Sequence, residues 1–347
     1  MAFDDAYDAL TDHEDDARWA YGTGFSDPLA GVADDLPDGV DRGDLATYCL
    51  MLGDDALVLS HRLQQWITRA PELEDELALA NIGLDLLGQA RLLLTRAGVA
   101  EGRGRDEDEL AMRRAVAEFR NVRLTERADA DFAHLVARLC AFSVWRLELL
   151  QRLTGSRDPM LAAIAAKGVK EVTYHRDYAA QWVVRLGDGT KLSRQRMATA
   201  VEELTPLLGE LFQPHPVETR LVAAGVAVDP AEVRPAFDEI WAYVLTTATL
   251  DPSAPASPRP PSAPPPGSAS FAEPPGSADS VTFSEPPGSV GSSTSAEPPG
   301  SVGSSTSAGP SGSVDSAGGR DGEHGPELAA ILDEMQELAR SVPGGSW

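Results

Sequence analysis

PELEDELALANIGLDLLGQARLLLTRAG, residues 71–98, is the stretch whose reading decides the fold. Pro71 suits a first helical turn, and Glu72, Glu74, Asp75 and Glu76 put negative charge at the positive end of the helix dipole. Gly98 is a natural stop. Leu73, Leu77, Ala80, Leu84, Leu87 and Leu94 recur at helical spacing, and Leu79, Ile82, Leu86 and Leu93 form a second stripe. Together they cover roughly 220° of the circumference. A helix wrapped that far is expected to be surrounded, as the central member of a bundle.

The flanking sequence supplies the neighbours. A helix over about 44–69 offers Leu45, Tyr48, Leu52, Leu59, Leu63 and Trp66 on one face. An Asp/Glu/Arg-rich connection over 99–130 holds a shorter helix near Asp106–Phe119. A third long helix, about 131–154, carries Leu135, Leu139, Phe142, Trp145, Leu149 and Leu153. Gly155 and Asp158-Pro159 punctuate, and a fourth helix runs to about Leu186. GDGT at 187–190 is a turn, and two more helices fit 193–212 and 230–249. No stretch alternates as a strand does, so the class is all-α, an antiparallel helix bundle over 44–250.

Outside the bundle, residues 1–43 are crowded with acids (Asp4, Asp5, Asp8, Asp12, Glu14, Asp15, Asp16) and broken by Gly and Pro. They read as a mostly disordered acidic extension. From 251 to 322 the chain is Pro/Gly/Ser-rich, with EPPGS recurring at 273, 285 and 297, a low-complexity linker. Residues 323–347 hold an amphipathic helix from Pro326, with Leu328, Ile331, Leu332, Met335 and Leu338, expected to dock back on the bundle. Closing so long a loop costs only about 2 kcal/mol more than a short one.

Composition narrows the function. Over 347 residues, 54 acids face 29 bases for a formal charge of −25, and Lys167, Lys170 and Lys191 are the only lysines. That balance disfavours nucleic acid and anionic membranes as partners. Cys49 and Cys140 fall in predicted helices and read as reduced core thiols. No apolar run approaches membrane-spanning length and the N-terminus is acidic where a signal peptide is basic, so a cytoplasmic location is expected.

Long antiparallel helices can hold a di-iron centre, which needs four inward carboxylates and two histidines in Glu-x-x-His pairs. The quota is not met. The fourth helix sets Lys167, Glu171 and His175 at successive i,i+4 positions on an apolar face, but Tyr174 stands three residues after Glu171. Glu76 points into the apolar arc of the second helix yet is followed at that spacing by Leu79, and Asp85 by Gly88. Asp55 lies at the edge of the first helix's stripe, and Glu148 lies off the third's. Two Asp-x-x-His tetrads exist; Asp131–His134 opens a helix as a cap does, and Asp321–His324 sits in sequence that reads as flexible. Asp55, Glu76, Lys167, Glu171 and His175 are therefore candidates for a degenerate, structural site, with Lys167 supplying the positive charge that iron would supply. No catalytic, cofactor-binding or metal-ligating residue is assigned.

Five stretches carry a resemblance: GDDALVLSHRLQQW (53–66), APELEDELALANIGLDLLGQAR (70–91), EFRNVRL (118–124), SRDPMLAAIAAKGVKEVTYHRD (156–177) and EMQELARSVPGGSW (334–347). They resemble the family of the C subunit of bacterial phenylacetyl-CoA epoxidase, the multicomponent 1,2-phenylacetyl-CoA monooxygenase of phenylacetate catabolism. The likeness covers about 44–250 and 323–347, leaving out the acidic arm and the EPPGS insert. It implies a ferritin-like bundle and a non-catalytic structural subunit. The partners it implies are the catalytic A subunit, which carries the di-iron site, and a reductase subunit with flavin and an iron–sulfur cluster. The competing expectations are a free-standing ferritin-like di-metal oxidase or iron-binding protein, against which the missing Glu-x-x-His pairs count, and a helical adaptor for some other partner.

Overall fold

In the computed structural model the described residues are 29, 31–250 and 318–342. The expectations for residues 1–28 and the EPPGS repeats lie outside them. Helix α1, Arg42–Gln64, starts where the Asp41 carboxylate accepts from Asp44 N at 2.9 Å. Helix α2, Leu73–Glu101, is capped by Gly102 in the left-handed region at φ +66°. Gly98 does not stop α2. It lets the returning chain come close, because a Cβ there would sit 2.2 Å from the Arg105 carbonyl oxygen.

The connection then forms α3 (Glu107–Met112), a 3₁₀ turn at Val116–Glu118 and the single turn α4 (Arg123–Glu126). Helix α5, Phe132–Leu153, opens on Asp131, which accepts from His134 N at 3.1 Å, so that tetrad is the cap its position suggested. Helix α6, Pro159–Gly187, is capped by Asp158, with Pro159 in its first turn. After it come α7 (Lys191–Leu204), a 3₁₀ stretch over Thr205–Phe212, α8 (Pro216–Ala223) and α9 (Pro230–Thr247). Periodicity alone merges α7 with the 3₁₀ stretch and misses α8. Pro206 explains the break, since it cannot donate into a continuing α-ladder. No strand occurs among the described residues.

Two antiparallel hairpins, α1/α2 and α5/α6, make the body. Arg42 reaches the carbonyls of Val99 and Ala100, while Ser60 reaches that of Gly83, which fixes the first pair as antiparallel. Helix α6 runs along α2 in the opposite sense: Asp75 meets Tyr178 and Trp182, and Arg96 meets Asp158. Helices α7 and α9 cover α5, and α8 packs beside α1. Helix α10, Pro326–Ser341, lies against α1 and α3 with Leu328, Ile331 and Leu332 buried and Met335 partly so, whereas Leu338 of the same predicted stripe is exposed. Cys49 and Cys140 are buried free thiols, and burial pushes both well up from the ordinary thiol range.

Three expectations need correction. The helices buried on nearly all sides are α1 and α5, whereas α2 buries only one side. Its second stripe (Leu79, Ile82, Leu86, Leu93) is the inward one, and Leu73, Leu77 and Leu84 of the first stripe are exposed. Helix α2 is also long and apolar enough to cross a membrane by length and composition, against the reading that no run is; half of that window is buried against the bundle. The acidic extension, finally, is not loose as far as residue 43. The Asp34 and Asp35 carbonyls and the Asp34 carboxylate accept from buried Arg96.

Candidate functional site

Two layers of polar residues cross the inside of the bundle. The first runs along the α2/α6 contact. Asp75 is buried and accepts from the Tyr178 hydroxyl at 3.0 Å and the Trp182 indole N–H at 2.9 Å. Burial, with Asp75 beside it, pushes the Tyr178 phenol far up, which keeps it a donor. One helical step on, His175 is buried, with its Nε2 3.0 Å from Asp85 Oδ2. Then comes Gln89, which donates to Glu171 Oε2 at 2.9 Å and accepts from Arg146 Nε at 2.9 Å. Lys167 pairs with the other Glu171 oxygen. Gly168 provides the room, since a Cβ there would sit 2.8 Å from Leu150 Cδ1 and in contact with Gln89.

Arg146 is the centre of this layer. It sits on α5 without solvent exposure, its Nη1 3.3 Å from the Leu52 carbonyl and its guanidinium 5.5 Å from the Phe142 ring centre. Burial pulls the guanidinium down to about 10, and Asp55 and Glu171 oppose that fall. Its Nη2 and the hydroxyl of Ser143, one turn away, have no hydrogen-bond partner among the described residues.

The second layer is built on Asp54 and Asp55 of α1. Asp54 receives Arg114 and the Arg120 backbone N–H, at 2.8 Å for the latter. Asp55 receives the Val122 backbone N–H at 2.9 Å and Arg320 at 2.8 and 3.1 Å. Burial drives the Asp55 carboxyl up, and Arg320 and Arg146 pull it back. Arg320 also donates to the carbonyls of Met51 and Arg120. Nearby, Glu210 accepts from Arg123 N and Gly319 N, and Glu126 takes His324 at 2.5 Å. These contacts tie residues 318–325 to the bundle. Composition places Asp321 in a flexible linker ending at 322, with His324 just beyond, but the docked element begins by 318.

The five sequence candidates do not all meet. Lys167 and Glu171 pair, and His175 is one turn away but bound to Asp85. Asp55 belongs to the other layer and pairs with Arg320, not with Lys167. Glu76 is half-exposed and outside both layers; the inward acid is Asp75, because the buried phase of α2 runs through Leu79 and Ile82. The positive charge deepest in the bundle is Arg146, while Lys167 stays partly exposed. Arg146 is legible in the sequence: it follows Phe142 and precedes Leu149 on the same stripe, and counting acids and histidines alone misses it.

This donor set does not fit two iron ions. Such a centre takes carboxylates and imidazoles with free lone pairs. Here both Glu171 oxygens are engaged, by a cation and a carboxamide, and a guanidinium occupies the middle of the layer. Among the described residues no three His, Cys, Asp or Glu side chains stand close enough to share a metal. The arrangement joins helices by charge.

Residues 32–260 match the family described as phenylacetic acid catabolic protein. The chain is also 46% identical over 208 residues to the C subunit of 1,2-phenylacetyl-CoA epoxidase from Escherichia coli (strain K12), a match that spans 60% of this chain and 83% of that protein. With its two antiparallel helix hairpins, this chain belongs to the phenylacetic acid catabolic protein family and has that family's ferritin-like helical fold.

Proposed function

We propose that this chain is the structural, non-catalytic subunit of a multicomponent di-iron oxygenase that epoxidises the aromatic ring of phenylacetyl-CoA, and that it works in the cytoplasm beside a metal-bearing catalytic subunit. The observation that carries the reading is the Arg146–Gln89–Glu171–Lys167 chain, which ties α2, α5 and α6 together with two cations and a carboxamide on an interior carboxylate. The likeness to the C subunit of an epoxidase supports the substrate class and the multi-subunit setting. Electrons then come from a flavin and iron–sulfur reductase subunit, and this chain contributes shape and stability.

Iron analysis of the purified chain, with an oxidation assay on phenylacetyl-CoA alone and with the catalytic and reductase subunits, tests this. Less than about a tenth of an iron per chain and turnover only in the full mixture are expected, as order-of-magnitude limits. Stoichiometric iron, or ring oxidation by this chain with the reductase alone, overturns it.

A further inference from the structure

Helix α2 leaves one side uncovered, and over its first four turns that side is mostly apolar, with exposed Asn81 at its edge and exposed Arg91 and Thr95 beyond it. Leu73, Leu77 and Leu84 are 65%, 58% and 62% exposed. Ala80, Leu87 and Gly88 lie half-buried between and beyond them. The positions 73, 77, 80, 84 and 87 advance by four, three, four and three residues, the spacing of a seam that takes another helix. Tyr174 of α6, half-exposed, extends the patch sideways; it stacks on Tyr178 next to the His175–Asp85 contact. At one end Glu72 and Glu74 are exposed and Glu76 half-exposed. Contiguous exposed leucines of this kind mark an interface.

This chain's own remaining segments are poor occupants. Residues 251–317 contain no leucine, isoleucine or methionine to fill the seam. Residues 1–28 hold one leucine, Leu10, beside the aromatics Phe3, Tyr7, Trp19, Tyr21 and Phe25, but their many acids would face Glu72, Glu74 and Glu76, and residues 343–347 are too few for a helix. A second copy carries a formal net charge of −25 and repels this one over the whole surface, the acidic rim included.

We infer that the Leu73–Leu77–Ala80–Leu84–Leu87 seam of α2 is the docking surface for an amphipathic helix of a different chain, one with an apolar stripe at the same spacing and Lys or Arg beside it opposite Glu72 and Glu74. This rests on the proposed role as partner of a catalytic subunit, and it names the surface that subunit meets.

The test uses full-length chain with the catalytic subunit, comparing wild type, Leu77→Glu/Leu84→Glu, Glu72→Lys/Glu74→Lys, and a control, Leu338→Glu, at an exposed leucine on α10. Circular dichroism checks that all variants fold. The double Glu variant is expected to raise Kd at least on the order of a hundredfold, the scale for charging the centre of an interface. The double Lys variant should slow association and weaken its salt dependence, and Leu338→Glu should change nothing. Should wild type fail to bind the catalytic subunit, the proposed role and this surface both fall. Should wild type bind and the double Glu variant bind equally well, only the surface falls. A homodimer of the isolated chain that the double Glu variant breaks, or vesicle binding by wild type that it abolishes, also overturns the assignment, in favour of a second copy or a lipid surface.

Discussion

Replacing Arg146 with Met should leave the bundle close to its original stability, although Arg146 is one of its largest fully buried side chains. Burial lowers the guanidinium to about 10, well below the ordinary arginine value. A base whose pKa falls on folding costs stability at every pH below its folded value, so at neutral pH the buried charge costs about 3 kcal/mol. Met removes that cost. Against it, Gln89 Oε1 loses its donor, about 1–3 kcal/mol for a buried acceptor left unpaired, and the contact over Phe142 is worth about 1 kcal/mol more. The Leu52 carbonyl lies inside α1 and keeps its place in the helical ladder. The opposing effects cancel to within about 1.5 kcal/mol, or roughly 5 °C in Tm for a domain of this size. Asp55→Leu is the contrast. It strands Arg320 as an unpaired buried cation, which should lose about 3–5 kcal/mol. Urea titrations followed by circular dichroism, with unchanged m-values, measure both. A loss of about 3 kcal/mol or more in Arg146→Met, or under about 1 kcal/mol in Asp55→Leu, would refute this assignment of which buried charge holds the fold.

Other outcomes follow from single contacts. Gly98→Ala should cost about 1–3 kcal/mol, since its Cβ meets a backbone oxygen, while Gly88→Ala, with nothing within 4 Å, should gain about 0.5–1 kcal/mol of helix propensity; thermal melts that rank them the other way contradict the packing described. Burial lowers His215, whose Nδ1 accepts from Val217 N at the start of α8. A base with a depressed folded pKa contributes stability that is present above its unfolded pKa of 6.5 and lost as pH falls through its folded value. About 1 kcal/mol, the worth of a cap, should therefore fade as acid is added, and His215→Asn should flatten that slope in denaturation curves run across pH; an unchanged slope rules it out. Lys167→Met and Glu171→Gln should show coupling of about 0.5–1 kcal/mol in a double-mutant cycle, partial exposure keeping it small, and additive losses would dissolve the pair.

The elements legible in the sequence are those that obey one periodicity. Helices α1, α2, α5, α6, α9 and α10 follow from stripes of leucine with caps such as Asp158-Pro159, whose ring sits in the first turn as its position implies. Which stripe of α2 faces inward is not legible, because Leu73–Leu77–Leu84 and Leu79–Ile82–Leu86 are equally apolar and only the neighbours decide. That one ambiguity misplaces Glu76 and hides Asp75. In the interior layers, the Lys167–Glu171 pair is local, four residues along one helix, and can be read off. Asp55–Arg320 spans 265 residues, and no spacing rule reaches that far. The short helices α4 and α8 are held by tertiary contacts such as Arg62 with the Glu126 carbonyl and Arg220 with Asp44, and carry little periodic signal of their own.

The pairing of Asp55 with Arg320 has a consequence for biosynthesis. The carboxylate leaves the ribosome long before its cation, so a nascent chain up to residue 317 must hide Asp55, Glu126 and Glu210 without the groups from 318–325 that answer them. The fold is therefore expected to close only once residues 318–325 have emerged. Chains cut short before residue 318 should stay loosely joined and open to proteolysis, which gives the cell a physical criterion for telling a chain that carries this segment from one that lacks it.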